Sequence, residues 1–458
     1  MTDQWLSAER IVRVVRRRRL KRSLASGAVV LAIVGTTVGL STNSSDGKQH
    51  SLHVAIQPGS SVGERLPGAI QLVGKTTPLT KMDPKATAAV ADADTALTIA
   101  LLHHSDLLRD ENSANISTSP FSLFVALAML ENGARGATAA GISKALQASG
   151  LDMSTQNVGL ARLITALGQQ ATEDKITLET ANSLWQQEGL PIKPAFLSTL
   201  STFFHAGVWQ TDFEQHNAEA IAAINRWTSD KTHGKITKLF DGLDSTTVLV
   251  LANALYFHAA WQVPFDPAET RPIRFHALGD RAEIAQFMHG PAVGVDTGTY
   301  RATAIPYLGR RFEAVAVMPD SGPLTNFVQG LSAADLDDIT EKADSGSKVS
   351  LFLPKFTTTA SIDLIPALGR LGMHFGGDFT GIAAVTDLKV DQVVQRVFLG
   401  VGEDGTTAAA ATGISMGLSS SIGEPHPLLF DHPFLFLIRD KVSGAVLFAS
   451  EINDPTSK

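Results

Sequence analysis

The chain has 458 residues, 44% of them hydrophobic and 18% charged, which excludes an open, highly charged disordered polymer and leaves material for a large core. Its formal charge of -7 hides an asymmetry: residues 1–22 carry eight basic and two acidic side chains, leaving thirty and forty-three for the remainder, a net -13 that argues against general nucleic-acid binding. The absence of cysteine excludes disulfides, thiolate metal sites and cysteine nucleophiles.

At the N-terminus Arg16, Arg17, Arg18, Arg19, Lys21 and Arg22 close a basic segment, 1–22, that directly precedes an uncharged run over 23–45. An uncharged helix of that length reaches across a bilayer core of about 30 Å. Basic residues on one side only place the N-terminus in the cytoplasm and the body outside, so 23–45 is expected to be a transmembrane signal anchor, or a signal peptide if cleaved. The protein is therefore expected to be extracytoplasmic, either membrane-anchored or secreted. Pro58, Pro67, Pro78 and Pro84 among Gly, Ser and Thr give 46–85 the texture of a linker, with room for a short strand at 52–56.

A folded domain is expected over 86–458. Leu97, Leu101, His104 and Leu108 keep helical spacing, and Ser119-Pro120 offers a cap and first-turn proline for a second helix through Ala126, Met129 and Leu130. Later runs read as strands at 248–251, 314–318, 349–353, 393–401, 434–438 and 446–448. Helices early and strands late indicate an α+β domain rather than repeated βαβ units.

Catalytic motifs are scarce. Gly413-Ile414-Ser415-Met416-Gly417 matches the nucleophile elbow of α/β-hydrolases, but the following Leu418 to Pro425 cannot form the helix that the elbow requires. His103-His104 has no partner at metal-binding spacing, so no metal site is expected. More informative is Glu403-Asp404-Gly405-Thr406-Thr407-Ala408-Ala409-Ala410-Ala411-Thr412: two acids and a glycine before seven small residues, with no cation before the apolar run resumes. By composition it reads as an alanine-rich turn or a loop. It also reads as a segment able to slide between two strands, because nothing bulky or charged would be buried.

The order of several motifs resembles the serpin family over nearly all of 85–458. Asn115 to Ser122 with Gly133, Ala134 and Thr138 is similar to its early helix, and Asn182-Ser183-Leu184-Trp185 follows. Asn225, Trp227, Thr232, Gly234, Lys235 and Ile236 match N-x-W-x(4)-T-x-G-K-I; Asn253 to Trp261 resembles the central strand and breach tryptophan. Leu353-Pro354-Lys355-Phe356, Leu371-Gly372-Met373 and Phe430 to Phe436 complete the order.

The resemblance implies a serpin fold, with helices packed on a large central sheet and smaller sheets, and an exposed reactive loop at about 403–427. It implies a hinge at Glu403, Gly405, Thr406, Ala408, Ala410 and Thr412, a reactive bond among Leu418, Ser419 and Ser420, and a shutter and breach at Ser122, Asn253, Trp261 and Gln395. Gln395 stands where the family often has a histidine paired with the asparagine matched by Asn253. From their residue types alone, Ser122 and Asn253 read equally as buried polar groups satisfying backbone, and Trp261 as core.

The implied function is that of a suicide inhibitor: a serine protease, or a cysteine protease, acylates the loop, which then inserts into the main sheet before deacylation. No cation from Gly405 to Asp431 suits a trypsin-like pocket, so chymotrypsin-, elastase- or subtilisin-like targets are expected. The resemblance implies a monomer with no cofactor and no enzymatic activity of its own. Alternation places Thr406, Ala408, Ala410 and Thr412 inward in the inserted strand, with Thr406 at the loop's exposed base beforehand. The alternative is a non-inhibitory serpin-fold protein with a binding or chaperone-like role.

Overall fold

The structure is a computed structural model that describes residues 58–79, 83–110, 113–279, 281–385, 388–406 and 426–457. The expected cytoplasmic segment, the anchor, the strand at 52–56 and most of the reactive loop lie outside the described residues. No helix among the described residues is long and apolar enough to cross a membrane.

The folded chain opens with a hairpin, β1 (Ser60–Leu66) and β2 (Ala69–Gly74). This corrects the expectation of a linker throughout 46–85. Alternation in β1 is too weak to announce a strand, since Val62 and Leu66 are its only apolar side chains; the backbone ladder and the burial of Ala69, Ile70 and Leu72 in β2 hold it in place. Gly68, at φ +80°, lets the turn pass close to the backbone of Glu219.

Two helices follow, the first ending at Leu102, so that of the expected spacing His104 falls in a turn and Leu108 in a separate 3-10 segment, Ser105–Leu108. In α1 (Pro84–Leu102), Asp83 caps the backbone N–H groups of Lys85 and Ala86. In α2 (Pro120–Glu131), Ser119 accepts from Ser122 N, and Pro120 supplies the pre-set φ of the first turn. Every residue of α2 is buried, as an all-round apolar helix must be, and it packs behind the main sheet. The helices α3 (Gly136–Ala145), α4 (Met153–Glu173), α5 (Pro194–Phe203) and α6 (Asn217–Lys231) come next, with α7 (Leu324–Gln329), α8 (Ala333–Ser345) and α9 (Ile365–Arg370) later.

The main sheet runs β1, β2, β5 (Val208–Thr211), β4 (Thr177–Gln187), β6 (Leu249–Ala260), β16 (Gly405–Thr406), β15 (Gln392–Gly402) and β12 (Phe356–Asp363). A second sheet runs β17 (Pro427–Leu429), β11 (Ser347–Pro354), β8 (Arg281–Asp296), β9 (Tyr300–Pro306), β10 (Phe312–Pro319), β18 (Phe434–Asp440), β19 (Val446–Ile452) and β3 (Ile116–Thr118), with β7 (Arg271–Ala277) paired to β8. A small pair, β13 (Gly376–Gly377) and β14 (Leu388–Lys389), stands apart.

The central strand β6 is buried on both faces up to Phe257, and its near-continuous apolar run reflects that position. One face packs on the core that holds α2, and the other on Trp185, Trp209, Phe213 and Trp227 beneath α6. The six strands expected within 248–448 are present, β6 and β15 being longer than their apolar cores suggested.

Candidate functional site

The site is the seam between β6 and β15. In its lower part the two strands pair directly and in parallel, from Gln392↔Val250 to Val397↔Leu255. Above that they diverge, and β16 fills the gap. Gly405 and Thr406 lie antiparallel to both neighbours, opposite Ala260 and Ala259 on one side and Gly402 and Val401 on the other. Only glycine fits at 405: φ is +151°, and a Cβ would collide with the carbonyl of Ala259.

Thr406 is fully buried, which overturns the expectation that it lies at an exposed base. The two-residue wedge already carries it into the sheet, where its Oγ1 is 2.5 Å from Tyr307 Oη. Burial raises the pKa of the Tyr307 phenol, so at neutral pH the pair is a neutral hydroxyl contact. The Tyr307 ring stacks on Trp261 with centroids 4.5 Å apart. Trp261 in turn donates from Nε1 to Gly402 O at 2.8 Å and from its backbone N to Asp404 O at 2.9 Å. The proposed breach tryptophan is therefore bonded to the chain on both sides of Glu403.

Glu403 closes the top. Its carboxylate accepts from Lys355 Nζ at 2.8 Å and from Thr270 Oγ1 at 2.8 Å, while Phe265 N donates to its carbonyl at 2.9 Å. Burial alone would raise the carboxyl pKa; the hydrogen bonds from Lys355, the backbone and Thr270 together outweigh it and hold the group below the ordinary glutamate value.

Where the seam is closed, Gln395 and Asn253 face each other. Gln395 Nε2 donates to Asn253 Oδ1 at 2.6 Å and to Ser119 O at 3.0 Å; its Oε1 accepts from Ser119 N at 2.9 Å and Thr118 Oγ1 at 2.7 Å. Asn253 Nδ2 donates to Ser122 Oγ at 2.9 Å and to Asn182 Oδ1, which also accepts from Ser122 Oγ at 3.1 Å. An amide satisfies four bonds here, two as donor and two as acceptor, with no ionisable member in the chain.

Of the residues singled out from sequence, the structure brings Glu403, Gly405, Thr406 and Trp261 together at the top of the seam and Ser122, Asn253 and Gln395 together at its closed part. Ala408, Ala410, Thr412, Leu418, Ser419 and Ser420 lie outside the described residues. Sequence reasoning missed Tyr307, Thr270 and the roles of Lys355 and Asn182. The last two stood in quoted motifs; an isolated Tyr after Pro306 carried no signal.

These features define a mixed α+β protein whose main sheet is parted at one end by the two-residue strand β16. A family model described as "Serpin (serine protease inhibitor)" matches residues 92–455, and the chain belongs to the serpin family. It is 33% identical over 351 residues to an uncharacterized serpin-like protein of Thermococcus kodakarensis, covering 75% of this chain and 82% of that one. It is 32% identical over 368 residues to the leukocyte elastase inhibitor of Sus scrofa, covering 76% and 95%. Among solved structures, the thermophilic serpin tengpin in its native state aligns with a TM-score of 0.73 at 24% identity over 83% of this chain and 97% of that one. Human thyroxine-binding globulin aligns with a TM-score of 0.72 at 26% identity over 81% and 100%. The serpin fold expected from sequence is thus the fold observed.

Proposed function

We propose that this protein is an inhibitory serpin that traps serine proteases by inserting its cut loop into the β6–β15 seam. The protease serine attacks the carbonyl of Leu418 or Ser419, the amine of the next residue leaves, and the loop remains bound to the enzyme as an ester. Insertion before water attacks that ester carries the enzyme away from its original docking position. Fourteen inserted residues at about 3.3 Å each would move the cut end roughly 46 Å.

The observation that carries this reading is the wedge of Gly405 and Thr406. Continuing its register places Ala408 opposite Phe257, Ala410 opposite Leu255, and Thr412 between Asn253 and Gln395, each a small uncharged residue on the inward alternation. The insertion path therefore ends its first half where the hydrogen bond from Gln395 Nε2 to Asn253 Oδ1 must open.

The cation-free stretch from Gly405 to Asp431 supports chymotrypsin-, elastase- or subtilisin-like targets, in line with the relative named as an elastase inhibitor. The basic segment before 23–45 supports an extracytoplasmic, membrane-anchored or secreted body. The test is to mix the purified chain with chymotrypsin and resolve the products on a denaturing gel. A covalent complex that survives SDS is expected. Cleavage without complex would favour the non-inhibitory reading, to which the fold likeness with thyroxine-binding globulin lends support.

A further inference from the structure

The strand β7 is bonded at both ends to chain that flanks residues 407–425. At its start, Thr270 donates to Glu403, three residues before Thr406; near its end, His276 N donates to Asp431 O at 2.8 Å, five residues after His426. The β7–β8 hairpin is thus surface bonded to both flanks of the segment that an attacking enzyme would engage.

The two faces of that hairpin differ. Phe275, Ala285 and Phe287 point into the core. Pro272, Arg274 and His276 on β7, with Ala282, Ile284 and Gln286 on β8, are exposed, and Arg274 lies directly across the ladder from Ile284. Ile284 is 62% exposed, among the most exposed large apolar side chains of the described residues. Arg274 has no hydrogen-bond or ion-pair partner among the described residues, whereas nearby Arg271 is held by Glu269 and the Phe352 ring, and Arg281 by Asp454.

The loop itself carries almost no charge: from Thr407 to Pro425 there is one acid, Glu424, and no base. Electrostatic discrimination between proteases with similar specificity pockets must then come from surface beside the loop. A guanidinium with no partner among the described residues, beside an exposed apolar side chain, offers a carboxylate-binding charge and an apolar contact on one face, arginine being enriched at interface hot spots.

We infer that Arg274 and Ile284 form an accessory docking surface for the protease captured at the loop, favouring enzymes with carboxylates and an apolar edge beside the cleft. The inference rests on the inhibitory reading. Its occupant is the acylating enzyme, because β7 is fastened to both approaches of the loop.

The test compares second-order rates of covalent complex formation with chymotrypsin and with chymotrypsin whose surface lysines have been succinylated, which replaces cations by carboxylates. The readout is the ratio of rates, succinylated over native enzyme, taken for each variant relative to the parent, since the acidic body of net charge -13 repels the succinylated enzyme in all of them. At low salt Arg274→Glu should lower that ratio about three- to tenfold, and the reduction should vanish near 1 M salt, where the screening length is about 3 Å. Ile284→Ser should slow both enzymes at every salt concentration. Arg65→Glu, an identical charge reversal on β1 at the far edge of the main sheet, should leave the ratio unchanged. If Arg274→Glu and Arg65→Glu change the ratio equally, or Arg274→Glu changes nothing, the surface does not dock the enzyme. If neither enzyme forms a covalent complex with the parent, the inhibitory reading fails, and the docking inference fails with it.

Discussion

Tyr307 and Thr406 meet inside the main sheet, hydroxyl to hydroxyl at 2.5 Å, although one belongs to the second sheet's β9–β10 connection and the other to the short strand β16. This contact makes the native state of the seam a partly filled one. Thr406→Val keeps the shape and leaves Tyr307 Oη buried without a partner, a change worth about 1–3 kcal/mol. Tyr307→Phe should cost a similar amount, and the double variant less than the sum of the two. Thermal unfolding of the four proteins measures this; strict additivity would show that the two hydroxyls are not coupled.

Because Thr406 is buried before any cleavage, an arginine there would burden the native fold as well as insertion. Thr412→Arg separates the two, since the continued register sends residue 412 between Asn253 and Gln395 only on insertion. This variant is expected to be cleaved at near the parental rate while forming little SDS-stable complex, because an unpaired guanidinium entering that buried seam costs several kcal/mol. Undiminished complex formation would refute the register.

The shutter contains no ionisable group, so Gln395→His should create one. A neutral imidazole can still accept one hydrogen bond; an imidazolium accepts none and would face the donors Ser119 N and Thr118 Oγ1. Its pKa in the fold should fall below the unfolded value of about 6.5. The unfolded chain then binds more protons, so stability is full above about pH 6.5 and declines as pH falls below it. Urea unfolding at pH 8 and pH 5.5 should show a larger loss in the variant than in the parent.

Asp94, wholly buried on α1, has its pKa raised to about 8, chiefly by burial and only partly offset by the hydrogen bond from Val446 N. The folded chain holds this proton where the unfolded chain, titrating near 4, has lost it. Stability from this group is therefore fully present below about pH 4 and is lost as pH rises toward 8. Asp94→Asn keeps an acceptor for Val446 N and should raise the unfolding temperature more at pH 8 than at pH 5. An equal shift at both values would contradict the assignment.

Glu403 behaves in the opposite sense. Its lowered pKa means that it contributes stability above the ordinary glutamate range, lost as pH falls through the folded value. The carboxylate is part-exposed, so its pair with Lys355 is worth about 1 kcal/mol or less. Glu403→Gln should flatten the acid limb of stability against pH and loosen the top of the seam.

Much of this site was legible before the structure, for particular reasons. Ser119-Pro120 announces a capped helix because a side-chain acceptor and a fixed φ are local properties. The small-residue run after Gly405 announces a segment that can be buried without charge. Gln395 could be matched to Asn253 through the family's motif order, and its four hydrogen bonds show why an amide suffices there. Burial of Thr406 was not legible, because it depends on how far β6 and β15 diverge, and no local pattern encodes that distance. Tyr307 reaches the seam from another sheet. The β1–β2 hairpin escaped because β1 has no alternating apolar face and is held by its backbone ladder, while the buried set in β2 is only Ala69, Ile70 and Leu72.

The central claim is that residues beyond Thr406 become a strand between β6 and β15 once the loop is cut. Thermal unfolding of the intact chain and of the chain nicked between Met416 and Ile422, its cleavage site fixed by mass spectrometry, tests this most directly. Insertion would add strand hydrogen bonds and bury the alanine run, so the nicked protein should unfold at a markedly higher temperature than the intact one. An unchanged or lower unfolding temperature after cleavage within Met416 to Ile422 would contradict the account.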